Sequence, residues 1–166
     1  DAHGFGTAGP GGRGSVAAKG LHDPRIIQAI SLSKSLGMQG GAVIGTREII
    51  AAIYSTSPAF IGNTAPLVPI ARGIVAAVEV LASEQDRVAR LQSNAALLHR
   101  LIPPCSRISH DPMSPILAYF PVDIKSAKRL RIKLIKTGIF PSWIRYLSGP
   151  RHGFFRFALS SEHKPT

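Results

Sequence analysis

Apolar positions come in short blocks early in this chain of 166 residues and in a helical rhythm later. Ile26-Ile27-Gln28-Ala29-Ile30-Ser31-Leu32-Ser33 is a short, mostly apolar run, the pattern of a buried strand, and Lys34 follows at its C-terminal end. Past Gly40-Gly41, Ala42-Val43-Ile44-Gly45 reads as a second short strand. Thr46 is then placed to N-cap a helix that has Glu48 in its first turn and reaches about Tyr54. Residues 58–69 are punctuated by prolines and read as a loop. From Leu67 to Ile102 apolar side chains recur at helical spacing (Ile70, Ile74, Val78, Leu81, Val88, Leu91, Leu98, Leu101). That spacing predicts one long helix or two abutting ones, stopped by Pro103-Pro104.

The tail reads as strand (116–122), helix (124–137), strand (139–144), a turn around Ser148-Gly149-Pro150, and strand (154–159). This is the pattern of a small α+β domain beginning within or after the long helix. Ahead of all these elements, seven glycines punctuate the first 20 residues, the mark of an ordered loop after a strand that ended near Asp1. A chain that opens on such a loop and stops at Pro165-Thr166 without a closing element is expected to be a piece of a longer one. Two buried strands do not make a stable parallel sheet alone.

Composition narrows the class. An apolar share of 45% argues for a folded core, and a charged share of 17% is low enough to suggest that some surface is covered. No apolar run approaches the roughly 18–20 residues that span a bilayer, and the first residues lack the basic and apolar regions of a secretory signal. The single cysteine, Cys105, has no internal partner, which suits a reducing compartment. The formal charge of +11 raises nucleic acid as a partner. The Lys and Arg residues are scattered, however, except in 125–136, where they fall among apolar residues at helical spacing. With no nucleic-acid motif, the expectation is a solvated basic face or an anionic substrate, with no nucleic-acid partner and no membrane.

Candidate chemistry centres on Ser31-Leu32-Ser33-Lys34-Ser35-Leu36-Gly37. A lysine flanked by serines is by default a solvated loop residue. A lysine that carries a cofactor has to sit at a strand end in a partly dry pocket, where its amine can form an imine and later act as a base. Ser31 and Ser33 supply hydroxyls suited to a phosphate, and Gly37, Gly40 and Gly41 allow close backbone approach. His3 sits in the Gly-rich loop 31 residues earlier, a separation that lets a loop, crossover and strand bring the two together.

The runs Asp1-Ala2-His3-Gly4-Phe5-Gly6, Gly9-Pro10-Gly11-Gly12-Arg13-Gly14 and Ser33-Lys34-Ser35-Leu36-Gly37, with Gly40-Gly41, resemble the α-oxoamine synthases. These are pyridoxal-phosphate (PLP) enzymes of fold type I. Pro58-Ala59-Phe60-Ile61 leading to Asn63-Thr64-Ala65-Pro66 is similar to a later loop of that family. Ile144-Arg145, Ser148, Pro150 and Phe155-Arg156-Phe157-Ala158-Leu159-Ser160, with His163, resemble its C-terminal signature. The resemblance implies an α/β fold class: 1–80 as the C-terminal part of the PLP-binding large domain, and 81–166 as the small α+β domain. Lys34 matches the Schiff-base lysine, His3 the histidine near the cofactor's ring hydroxyl, and Ser31 a phosphate ligand. Thr64 matches a phosphate contact given to the neighbouring subunit. Arg156 matches the arginine that holds the amino-acid carboxylate, and Ser148 a substrate-contacting position usually held by threonine.

Two departures stand out. Asp1 lies two residues before His3 and matches the second acidic position of the motif, so the carboxylate for the ring nitrogen would lie immediately upstream. Phe154 replaces the first arginine of an Arg-x-Arg pair. The resemblance covers less than half of a typical member, and the chain alone is expected to be catalytically incomplete. It implies a cytoplasmic homodimer, without a metal, condensing a small amino acid with an acyl-CoA or acyl-carrier-protein thioester and losing CO2. Within the family the motifs favour the 8-amino-7-oxononanoate synthase branch of biotin biosynthesis. A 2-amino-3-ketobutyrate CoA ligase, a serine palmitoyltransferase-like member and a non-catalytic assembly partner stay open.

Overall fold

The computed structural model describes residues 1–102, 107–108, 111, 114–147 and 149–164. The chain divides into two compact units, Asp1–Ala89 and Arg90–Thr166.

In the first unit, β1 (Gln28–Ser31) pairs antiparallel with β2 (Gly41–Ile44), from Gln28 opposite Ile44 to Ser31 opposite Gly41. Both expected strands are present, but their burial is not as expected. Val43 and Ile44 are 45% and 42% exposed, and Ile30 alone is buried in β1. A two-stranded ladder has two faces and two open edges, and this unit packs apolar chain chiefly around Ile30. Ile30, Leu32 and Leu36 form its core, with Phe5, Met38, Ile74, Ala77 and Leu81 packed against them. The last three are one stripe of α4 (Val68–Ser83), spaced by three and four residues.

A short helix, α1 (Ser15–Ala18), follows the Gly-rich loop. The helix α2 (Arg47–Thr56) starts as its sequence predicts, with the Thr46 side chain accepting from the Ile49 N–H at 3.4 Å. The proline-punctuated stretch after it is not all loop. Pro58–Ile61 forms α3, because proline's fixed φ suits the first turn of a helix. The long periodic segment resolves into two abutting helices, α4 and α5 (Gln85–Leu101), broken at Glu84 with φ −101° and ψ 60°. The Gln85 amide donates back to the Leu81 carbonyl at 2.8 Å and so satisfies part of α4's open end. The division between the units falls inside α5.

The second unit holds a three-stranded antiparallel sheet in the order β3 (Ile116–Tyr119), β5 (Phe154–Ala158), β4 (Ser142–Ile144). The helix α6 (Ile124–Lys136) links β3 to β4 and opens on a capping box between Asp123 and Ser126. Strand alternation puts Phe155 and its register partners Tyr119 and Trp143 on one face, with Leu117 opposite Phe157 on the same side. Phe155 and Leu117 are 0% and 2% exposed, and the Trp143 ring meets Phe155 edge-on at 4.6 Å. Among the described residues, no helix is long and apolar enough to cross a membrane.

Candidate active site

The turn after β1 is built so that Lys34 projects from it. The Leu32 N–H donates to the Gly40 carbonyl at 3.0 Å, and the Met38 N–H to the Leu32 carbonyl at 2.8 Å, closing residues 32–40 into a loop. Leu32 and Leu36 are each 6% exposed and anchor it in the core. Ser33, Lys34 and Ser35, between those two anchors, are exposed. Lys34 therefore lies at the end of a strand as its sequence context predicts. The partly dry pocket expected around it is not formed by the described residues. The Ser31 and Ser33 hydroxyl oxygens lie 3.0 Å apart beside it.

The Gly-rich loop is folded onto this turn. The Gly6 N–H donates to the Gly12 carbonyl at 2.6 Å and the Gly14 N–H to the Ala8 carbonyl at 2.9 Å, so the loop closes on itself. Two ties hold it against β1 and the turn that follows. The Asp1 backbone nitrogen donates to the Ala29 carbonyl at 2.7 Å, and the Ser35 hydroxyl to the Phe5 carbonyl at 2.8 Å. His3 lies between the two tied residues, so the main chain brings its segment to the Lys34 turn. Gly6 has φ +80°, and a Cβ there would run into the Ser35 side chain. Only glycine permits so close an approach.

Asp1 is committed elsewhere. Its carboxylate accepts from the Ser15 N–H at 2.8 Å, from the Ser15 hydroxyl at 2.6 Å and from the Gln28 side-chain amide. It holds the start of α1 to β1. Sequence reasoning missed this role and the Ser35 tie. The Ser-Lys-Ser pattern offered a signal only for the second.

Thr64 lies in the exposed loop after α3 and makes no hydrogen bond to the Lys34 turn. Arg156 belongs to the other unit. It sits mid-strand in β5, opposite Ala118 and Ser142, one residue from Phe155 and so on the other face of the sheet. Ser148 lies outside the described residues.

A phosphate-bearing aldehyde such as PLP needs an accessible amine, hydroxyl donors and open space beside the backbone. Lys34, the Ser31–Ser33 pair and Gly37 fit it, since a Cβ on Gly37 would meet nothing within 4 Å.

Residues 1–165 match the family model described as aminotransferase class I and II. The 8-amino-7-oxononanoate synthase of Symbiobacterium thermophilum is 29% identical over 151 residues, which are 91% of this chain and 38% of the relative. The crystal structure of 8-amino-7-oxononanoate synthase from Francisella tularensis has a TM-score of 0.79 at 28% identity, over 99% of this chain and 49% of that one. A structure of serine palmitoyltransferase with PLP has a TM-score of 0.85 at 26% identity, over 99% of this chain and 42% of that one. The chain thus spans between 38% and 49% of the length of these three proteins.

Proposed function

This chain belongs to the aminotransferase class I and II family and shares the fold of the fold-type I PLP transferases, and from that premise we propose that its protein is a PLP-dependent acyltransferase of the α-oxoamine synthase type. In this reading it condenses a small amino acid with an acyl thioester and releases CO2. The relatives named 8-amino-7-oxononanoate synthase support that branch, and alanine with a pimeloyl thioester is the substrate pair we propose for it. The observation that carries the reading is the Ser35–Phe5 tie, which sets the His3 segment against an accessible lysine and a hydroxyl pair at the end of β1.

Bound PLP supplies an electron sink for the charge that develops at the substrate's Cα. The chain's own residues do the rest. The Lys34 amine would hold the cofactor, and its Nζ is the group that would take the Cα proton. Ser31 would donate to its phosphate, and His3 would serve its ring hydroxyl. The Arg156 guanidinium receives the amino-acid carboxylate as a two-pronged fork. Thr64 would contribute to the phosphate site of a second subunit, which would make the working form a homodimer, and Ser148 matches a substrate-contacting position of the family. The second unit is the small C-terminal domain, and the enzyme works in the cytoplasm.

A product assay tests this reading. The full-length protein is given PLP, one amino acid (alanine, glycine or serine) and a pimeloyl or palmitoyl thioester, with CO2 and the α-oxoamine followed by mass spectrometry. Alanine with the pimeloyl donor is expected to give product. Turnover only with glycine or serine would move the protein to another branch, and no turnover with any pair would reject the acyltransferase reading.

A further inference from the structure

The chain's excess charge is concentrated in one unit. Residues 90–166 carry thirteen Lys and Arg against three Asp and Glu, a formal +10, whereas residues 1–89 carry seven against six. Part of that charge converges on a cavity of about 520 Å³ within the second unit, between α6 and the β4–β5 segment. Its lining includes Trp143, with the buried Phe155 behind it. Phe155 is fully buried and packs edge-on against Trp143, so this wall is rigid. Lys128 and Arg131 come from α6, one turn apart on the same face, while Arg145 and Arg151 come from either end of the segment between β4 and β5. His152 completes the basic lining, and no acidic side chain contributes to it.

These cations repel one another, and none forms an ion pair with a carboxylate among the described residues. A surface shaped by solubility alone intersperses the two signs. Four permanent cations over an aromatic wall instead match a ligand with several anionic oxygens at one end and a flat apolar body at the other. The volume suits a molecule of nucleotide size. Arginine forks grip phosphate in a bidentate way, and an indole can pack against a flat ring.

We propose that this cavity is a binding site for a phosphorylated small molecule of nucleotide size, such as a nucleoside diphosphate. The site involves no covalent step and none of its residues belongs to the Lys34 chemistry, so Lys34→Ala leaves it intact.

The test is calorimetric titration of the full-length protein with ADP, pyrophosphate and adenosine at low and at physiological salt. ADP is expected to bind most tightly, pyrophosphate more weakly and adenosine weakest, with the ADP affinity falling as salt rises. The double variant Arg131→Glu/Arg151→Glu is expected to lose at least about thirtyfold in ADP affinity, and Lys125→Glu to stay within about twofold. Lys125 carries the same charge on α6 but does not line the cavity. All three charge-reversal sites are exposed, and thermal melts check that the variants stay folded. Absence of ADP binding at low salt would overturn the proposal. So would an equal loss from Lys125→Glu, which would make the effect one of overall charge. Pyrophosphate binding as tightly as ADP would remove the aromatic wall from the site and overturn it as stated.

Discussion

The Ser35 hydroxyl donates to the Phe5 carbonyl oxygen at 2.8 Å, across 30 residues of sequence. The bond joins the residue after Lys34 to a residue two beyond His3, so it sets the spacing between two proposed cofactor contacts. Gly6 makes the approach possible, because a side chain at that position would occupy the space of Ser35.

Gly6→Ala is therefore expected to cost about 1 kcal/mol or more, since it combines a positive φ with a collision. Denaturant unfolding measures that cost. Ser35→Ala removes only the tie and is expected to leave the unfolding midpoint almost unchanged while PLP dissociates several-fold faster. Equal stability for Gly6→Ala and wild type would contradict the close packing of the loop on the turn.

Arg156 is predicted to act on substrate rather than cofactor. Arg156→Lys keeps the charge and loses the fork, which is expected to raise KM for the amino acid about tenfold, and Arg156→Ala to raise it more. The visible absorbance of bound PLP should be the same in all three proteins. A fall in PLP occupancy in Arg156→Lys would count against this assignment.

The capping of α6 makes its stability depend on pH. The Asp123 carboxylate accepts from the Ser126 N–H at 2.6 Å, and the backbone and hydroxyl contacts with Ser126 hold its carboxyl below the ordinary value of 3.8. Because the folded form titrates lower than the unfolded one, the cap's contribution is complete above that value and fades as pH falls through the folded pKa. Thermal midpoints of wild type and Asp123→Ala should differ at pH 6 and converge below about pH 3.8. A gap that stays constant down to the acid limit would contradict this.

The element order could be read from the sequence because its signals are local. Thr46 marks a helix start, and a three-and-four spacing marks α4 and α5. Burial could not be read in the same way. Val43 and Ile44 look like core residues, yet their exposure depends on what the rest of the fold lays over them, and a short apolar run does not carry that information. The same limit applies to Lys34. Its place at the end of β1 followed from the run that precedes it and its exposure from the serines beside it, whereas the partly dry pocket that a cofactor lysine requires depends on chain packed around it. The ties from Asp1 to Ser15 and from Ser35 to Phe5 join residues 14 and 30 apart, one hydroxyl donating to a carboxylate and the other to a main-chain carbonyl, pairings with no periodic signature.

The central claim is that Lys34 carries the cofactor. The most direct test incubates the full-length protein with PLP, reduces it with borohydride and maps the fixed pyridoxyl group by peptide mass spectrometry, with Lys34→Ala alongside. One modified peptide is expected, the one containing Lys34, and no fixed group in the variant. A group fixed on another lysine, or none fixed in the wild-type protein, would contradict it.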